Sequence, residues 1–112
     1  MRIIEEKLKG LDCIIKVEKH RIVGETEYLR LTASCGEGVT IHIREFVKAG
    51  KVMRYSYQLI IKKQESLRYD NAPHHPGIRT YPHHKHEKGR VLPLENPTLT
   101  AFLEETLKIL TT

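Results

Sequence analysis

A chain of 112 residues, 39% hydrophobic and without Trp, has room for one domain (1–112) and one modest core, and its apolar runs argue against disorder. No apolar run approaches a membrane span, and the chain does not open on a basic start, an apolar stretch and a small-residue cleavage site; a cytoplasmic protein without membrane contact is expected. The net charge of +5 is uneven, with eleven Lys or Arg against four acids in residues 42–90 and a slightly acidic remainder, so a basic middle that attracts a polyanion stands beside the plainer reading of solvated strand faces.

In chain order, Ile3, Ile4 and Leu8 have helical spacing, and Gly10 suits the end of a short N-terminal helix over 2–9. Residues 14–23 predict a strand, closed by Gly24-Glu25. Residues 26–35 predict a second, with Leu29, Leu31, Ala33 and Cys35 on one face. Residues 39–47 place Ile41 and Ile43 inward and His42 and Arg44 outward, and 52–62 place Tyr55, Tyr57 and Leu59 together. A fifth strand over 66–70 pairs with the fourth. Cys13 and Cys35 sit in these strand patterns and read as two buried thiols. At the far end, Asn96 offers a cap and Pro97 a first helical residue. Leu99, Phe102, Leu103, Leu107 and Leu110 then form one apolar stripe. The fold class is α+β: an antiparallel four- to five-stranded meander with a short N-terminal helix, and a C-terminal helix packed on one face.

All five prolines and five of seven histidines fall between residues 73 and 97, in a stretch with little periodicity. Residues 68–97 therefore predict a long proline- and histidine-rich functional loop, stiffened at Ala72-Pro73 and Tyr81-Pro82. His20 and His42 read as ordinary strand histidines. Three readings compete for the cluster. In an extended segment His84 and His86 project to one side and could hold a divalent metal, with His74 or His75 as a third ligand and Asp70 as a carboxylate. Alternatively, His74, His75, His83, His84 and His86 supply proton-transfer groups for acid–base catalysis, with Asp70 orienting one ring or fixing an Asx turn. Adjacent histidines face opposite sides, so within 74–75 and 83–84 some rings must point away. Arg54, Arg68, Arg79 and Lys85 would meet phosphates. The third reading is a tied-down loop whose imidazoles bond backbone carbonyls.

Acid–base use ranks above the metal, because the histidines come with Lys and Arg rather than thiolates or a cluster of carboxylates. No cofactor is therefore expected. His84 and His86, read as surface-loop residues, are expected to matter little for folding. Nothing in the sequence suits a nucleophile elbow or a phosphate-cradling glycine loop.

The segments Tyr55-Ser56-Tyr57, Arg68-Tyr69-Asp70-Asn71-Ala72-Pro73-His74-His75 and Tyr81-Pro82-His83-His84-Lys85-His86 resemble the TumE-type family of prokaryotic toxin–antitoxin systems. The resemblance implies a small toxin acting on RNA, with a helix-turn-helix antitoxin as partner. It implies no particular catalytic residue. The combined expectation is a metal-independent endoribonuclease toxin. The alternatives are a non-catalytic RNA- or protein-binding module and a metal-dependent nuclease with His ligands. The sequence allows a homo-oligomer and does not name the RNA target.

Overall fold

The structure, a computed structural model, describes residues 2–112. Helix α1 (Arg2–Lys7) leads into strands β1 (Cys13–Val23), β2 (Thr26–Cys35), β3 (Val39–Lys48), β4 (Lys51–Ile61), β5 (Gln64–Asp70), β6 (His84–Glu87) and β7 (Arg90–Pro93), followed by helix α2 (Leu99–Leu110). Each strand pairs antiparallel with the next, giving one sheet in sequence order. The α+β class and both helices agree with the sequence; the strand count does not. Seven strands replace the four to five expected, because the histidine segment 84–87 adds to β5 and turns into β7. The true loop is 71–83, about half of the stretch read as irregular.

Two-residue turns join most strands. At Ala49-Gly50, Lys62-Lys63 and Lys88-Gly89 both central residues have positive φ, from +50° to +76°. That is the turn whose twist matches the right-handed twist of its strands. Gly50 and Gly89 adopt it freely, whereas Ala49, Lys62, Lys63 and Lys88 do so against a steric cost of about 1 kcal/mol each.

Both helices cover the same side of the sheet. Ile4 and Leu8, with Phe102 and Leu103 from α2, close over Leu31, Ile41, Ile43, Tyr57, Leu59 and Leu67. Phe102 meets the edge of Tyr69 at 5.3 Å between ring centres. Helix α2 is capped by Thr98, whose hydroxyl accepts from the Ala101 N–H at 3.1 Å. The expected Asn96 cap is thereby displaced, and Pro97 precedes the cap rather than opening the helix. Among the described residues no helix is long and apolar enough to cross a membrane.

Cys13 and Cys35 stand directly opposite one another on β1 and β2 and are joined by a disulfide, which corrects the reading as two separate buried thiols. The spacing of 22 residues matches no motif; strand register alone brings the sulfurs together. In the loop-entropy account a closure of this length restricts the unfolded chain by about 3 kcal/mol.

Candidate active site

Side chains alternate across a strand, so the residues between the core positions form the opposite, uncovered face. There the register aligns Arg30, Arg44, Ser56, Asp70 and His84 on five successive strands. The neighbouring row runs Thr32, His42, Gln58, Arg68 and His86. At one end of these rows the loop 71–83 rises over the sheet, enclosing a cleft of about 980 Å³.

The loop is tied by its own polar groups. Asp70 Oδ1 accepts the Ala72 N–H at 3.0 Å, the Asx turn that the sequence suggested. The Asn71 amide brackets β4, accepting from the Tyr55 N–H and donating to the Met53 carbonyl. Thr80 donates to the His83 carbonyl at 2.6 Å and accepts the Leu94 N–H at 2.8 Å. The Tyr81–Pro82 peptide is cis. Held this way, the loop folds back so that His75 lies 4.8 Å from His84 and 5.7 Å from His86 between ring centres, with His84 and His86 4.9 Å apart.

His84 is the anchor of this group. It is 2% exposed, its Nδ1 donates to the Pro82 carbonyl at 2.9 Å, and its Nε2 lies 3.0 Å from Asp70 Oδ1. Both ring nitrogens thus face acceptors, and only a doubly protonated ring, or a protonated Asp70, satisfies the two contacts. Asp70 Oδ2 faces His86 Nε2 at 3.7 Å and Arg68 Nε at 3.3 Å. Arg68 is also within 3.6 Å of Glu65, yet its buried Nε–H aligns with neither carboxylate and is left without a hydrogen bond. The expectation that His84 is a dispensable loop residue is corrected by its place on β6 against a buried carboxylate. His86, on the same strand, keeps one edge toward the cleft.

Burial, with Arg68 alongside, holds the His86 imidazole below the usual histidine range, partly offset by Asp70. His83 points the other way, toward the helix side, where its Nδ1 is 2.9 Å from the Tyr55 hydroxyl. Burial, with the cationic neighbour His84 adding to it, pushes His83 down as well. Burial first, and the nearby Asp70 charge second, pushes the Tyr55 phenol up. Tyr55 is therefore the donor and a neutral His83 the acceptor.

These shifts fix the sign of a pH effect. Unfolded, both rings titrate near 6.5; folded, they hold their protons less well. Below that value the unfolded chain binds more protons, so the contribution of His83 and His86 to stability is complete above 6.5 and is lost as pH falls toward their lowered folded values. Thermal unfolding followed from about pH 8 to about pH 5 is expected to show Tm falling on acidification. The His83→Gln protein should show a shallower fall, and a Tm that rises on acidification would contradict the assignment.

Of the residues singled out from sequence, Asp70, His75, His84 and His86 converge, with Arg54 and Arg68 on the same cleft. His74 is exposed at its rim. His83 belongs to the Tyr55 contact on the far side. Lys85 also faces the helices, where it pairs with Glu105 at 3.1 Å and Glu87 at 3.7 Å, and Arg79 pairs with Glu95 on the surface. Sequence reasoning passed over Arg30, Arg44, Tyr28 and Phe46, which share the open face. The alternation in β2 and β3 had already turned Arg30, Arg44 and Tyr28 outward, but register was needed to set them beside the histidines.

An open antiparallel sheet, backed by two helices and carrying a histidine–aspartate cluster in a basic cleft, is the kind of protein that the fold and site define. The profile of a family described as toxin TumE matches residues 11–112, and the chain belongs to that family. It is thereby a toxin of a toxin–antitoxin system, with an antitoxin as partner. No curated protein and no solved structure matches it.

Proposed function

We propose that this toxin cleaves RNA by histidine acid–base catalysis without a metal. The observation that carries the reading is the convergence of His75, His84, His86 and Asp70 in a cleft walled by arginines. A neutral His86 removes the proton from a ribose 2′-OH. The oxygen attacks the adjacent phosphorus, the bond to the 5′-oxygen breaks, and a protonated His75 supplies the leaving oxygen with its proton. Arg44 and Arg68 stabilise the charge that builds on the non-bridging oxygens. His84 and Asp70 touch no substrate atom; they position His86. Arg54 holds the strand further along. The cognate antitoxin, of helix-turn-helix type, would neutralise the toxin by covering the cleft.

A second reading has one observation in its favour. His75, His84 and His86 offer nitrogens within 4.8 Å of one another, as a metal site would. His84 donating to a backbone carbonyl also suits a ligand. Against it, tetrahedral zinc with bonds near 2.1 Å needs donors about 3.4 Å apart. Asp70 already engages the free nitrogen of His84, and Arg68 brings a fixed positive charge beside the same carboxylate.

Incubating purified toxin with RNA, with and without a strong chelator, tests the choice. Products ending in 2′,3′-cyclic phosphate and 5′-hydroxyl, formed at equal rates in both, support proton transfer. Loss of cleavage with chelator and its return on adding a divalent ion would move the site to the metal reading. Binding without any cleavage would leave a non-catalytic module.

A further inference from the structure

Four of the seven aromatic residues, Tyr55, Tyr57, Tyr69 and Phe102, are buried in the core. The other three, Tyr28, Phe46 and Tyr81, all line the histidine cleft. We infer that Tyr28 and Phe46 form a base-stacking platform for single-stranded RNA, leading the strand across the open sheet to the histidines, with Tyr81 closing over it from the loop. This inference rests on the proposal that RNA is the substrate and adds which form of RNA is taken and which residues hold it.

Tyr28 and Phe46 are directly opposite on β2 and β3, and Arg54 on β4 continues the row. Strands are about 4.8 Å apart, and Tyr28 lies four residues along β2 from Thr32, whose row ends at His86; at about 3.3 Å per residue the path from Tyr28 on β2 to His86 on β6 is roughly 23 Å, a span that suits a few extended nucleotides. Each ring already carries a cation. The Arg54 guanidinium lies 5.1 Å from the Phe46 ring centre and the Lys19 ammonium 5.1 Å from that of Tyr28. A base arriving on either ring sandwiches or displaces the cation, which then meets the adjoining phosphate. Arg44, two residues from Phe46 on the same strand face, supplies a further charge. This array of charges and rings is complementary to a strand whose bases are unpaired. A duplex, its bases already stacked on one another, cannot use the rings. Tyr81, 46% exposed, lines the same cleft from the loop.

The test measures binding by fluorescence anisotropy to a 2′-O-methyl oligouridylate, which lacks the attacking hydroxyl, and to the same strand in a duplex. Inorganic polyphosphate serves as a charge control without bases. The single strand should bind more tightly than the duplex. Phe46→Ala and Tyr28→Ala should each weaken single-strand binding by roughly five- to a hundred-fold and leave polyphosphate binding unchanged. Phe46→Tyr should restore it, with Tm confirming that each variant is folded. Equal losses for strand and polyphosphate would show that the rings only carry the cations, and would overturn the platform. Cleavage and binding of RNA unaffected by both substitutions would overturn the platform while leaving the nuclease reading intact. A wild-type toxin that binds neither strand nor polyphosphate would remove the RNA reading itself. Substitutions that abolish neutralisation by the antitoxin while RNA affinity holds would assign this face to the antitoxin instead.

Discussion

The His86→Ala toxin is expected to cleave RNA roughly 10²–10⁴-fold more slowly and to lose its growth arrest, while remaining folded. His86 stands at the cleft edge of β6 with only a distant approach to Asp70, so its removal strands no close hydrogen-bond partner. Its imidazole is held below the usual histidine range by burial and Arg68. A base works when deprotonated, so the acid limb of the pH–rate profile should lie below 6.5, the ordinary value that the shift departs from. His86→Ala should erase that limb in the residual activity. Single-turnover cleavage across pH, together with circular dichroism, checks both parts. Full activity in His86→Ala would remove this residue from the chemistry, and a collapsed fold would show it to be structural.

Asp70→Ala should unfold more readily, by about 3–5 kcal/mol, because it breaks a buried charged pair from one side. The carboxylate is 7% exposed and serves four groups: the Ala72 N–H, His84, His86 and Arg68. Its loss leaves His84, enclosed at 2% exposure, with one nitrogen facing nothing, and releases the loop at its first turn. His84→Ala should cost a similar amount by abandoning Asp70. The double substitution should cost clearly less than the two single losses added together, since each already removes the shared contact. Urea denaturation of the three variants measures the coupling. Single losses below about 1 kcal/mol, the range of exposed ion pairs, would show that the Asp70–His84 contact does not hold β5 to β6. For the same reason His84→Ala cannot separate catalysis from folding, and His86 is the better probe of chemistry.

Much of the architecture was legible in the chain. Alternation of apolar and polar residues in 26–35, 39–47 and 52–62 is a local property of strands, and it placed Ile41, Ile43, Tyr57 and Leu59 in the core and His42 and Arg44 outside. The terminal helix was legible because its apolar stripe repeats every three to four residues. The histidine cluster announced itself by composition, and the segments around it carried the family resemblance that the profile match confirms.

What failed did so where the deciding contact lies far along the chain. His84-Lys85-His86-Glu87 has no apolar periodicity, so nothing local marks it as a strand; it becomes one by pairing with β5. That pairing turns Lys85 toward Glu105 and His84 toward Asp70, separating neighbours that composition had grouped together. Cys13 and Cys35 likewise share no motif and meet through register. By itself the sequence determined the helices, the first five strands, the outward basic residues and the presence of a histidine cluster, because each follows from local spacing or composition. The tertiary structure decided which histidines face one another, which cations stand beside them and which cysteines join. Those outcomes depend on strand register and on the path of loop 71–83, and hydrogen bonds between distant residues set both.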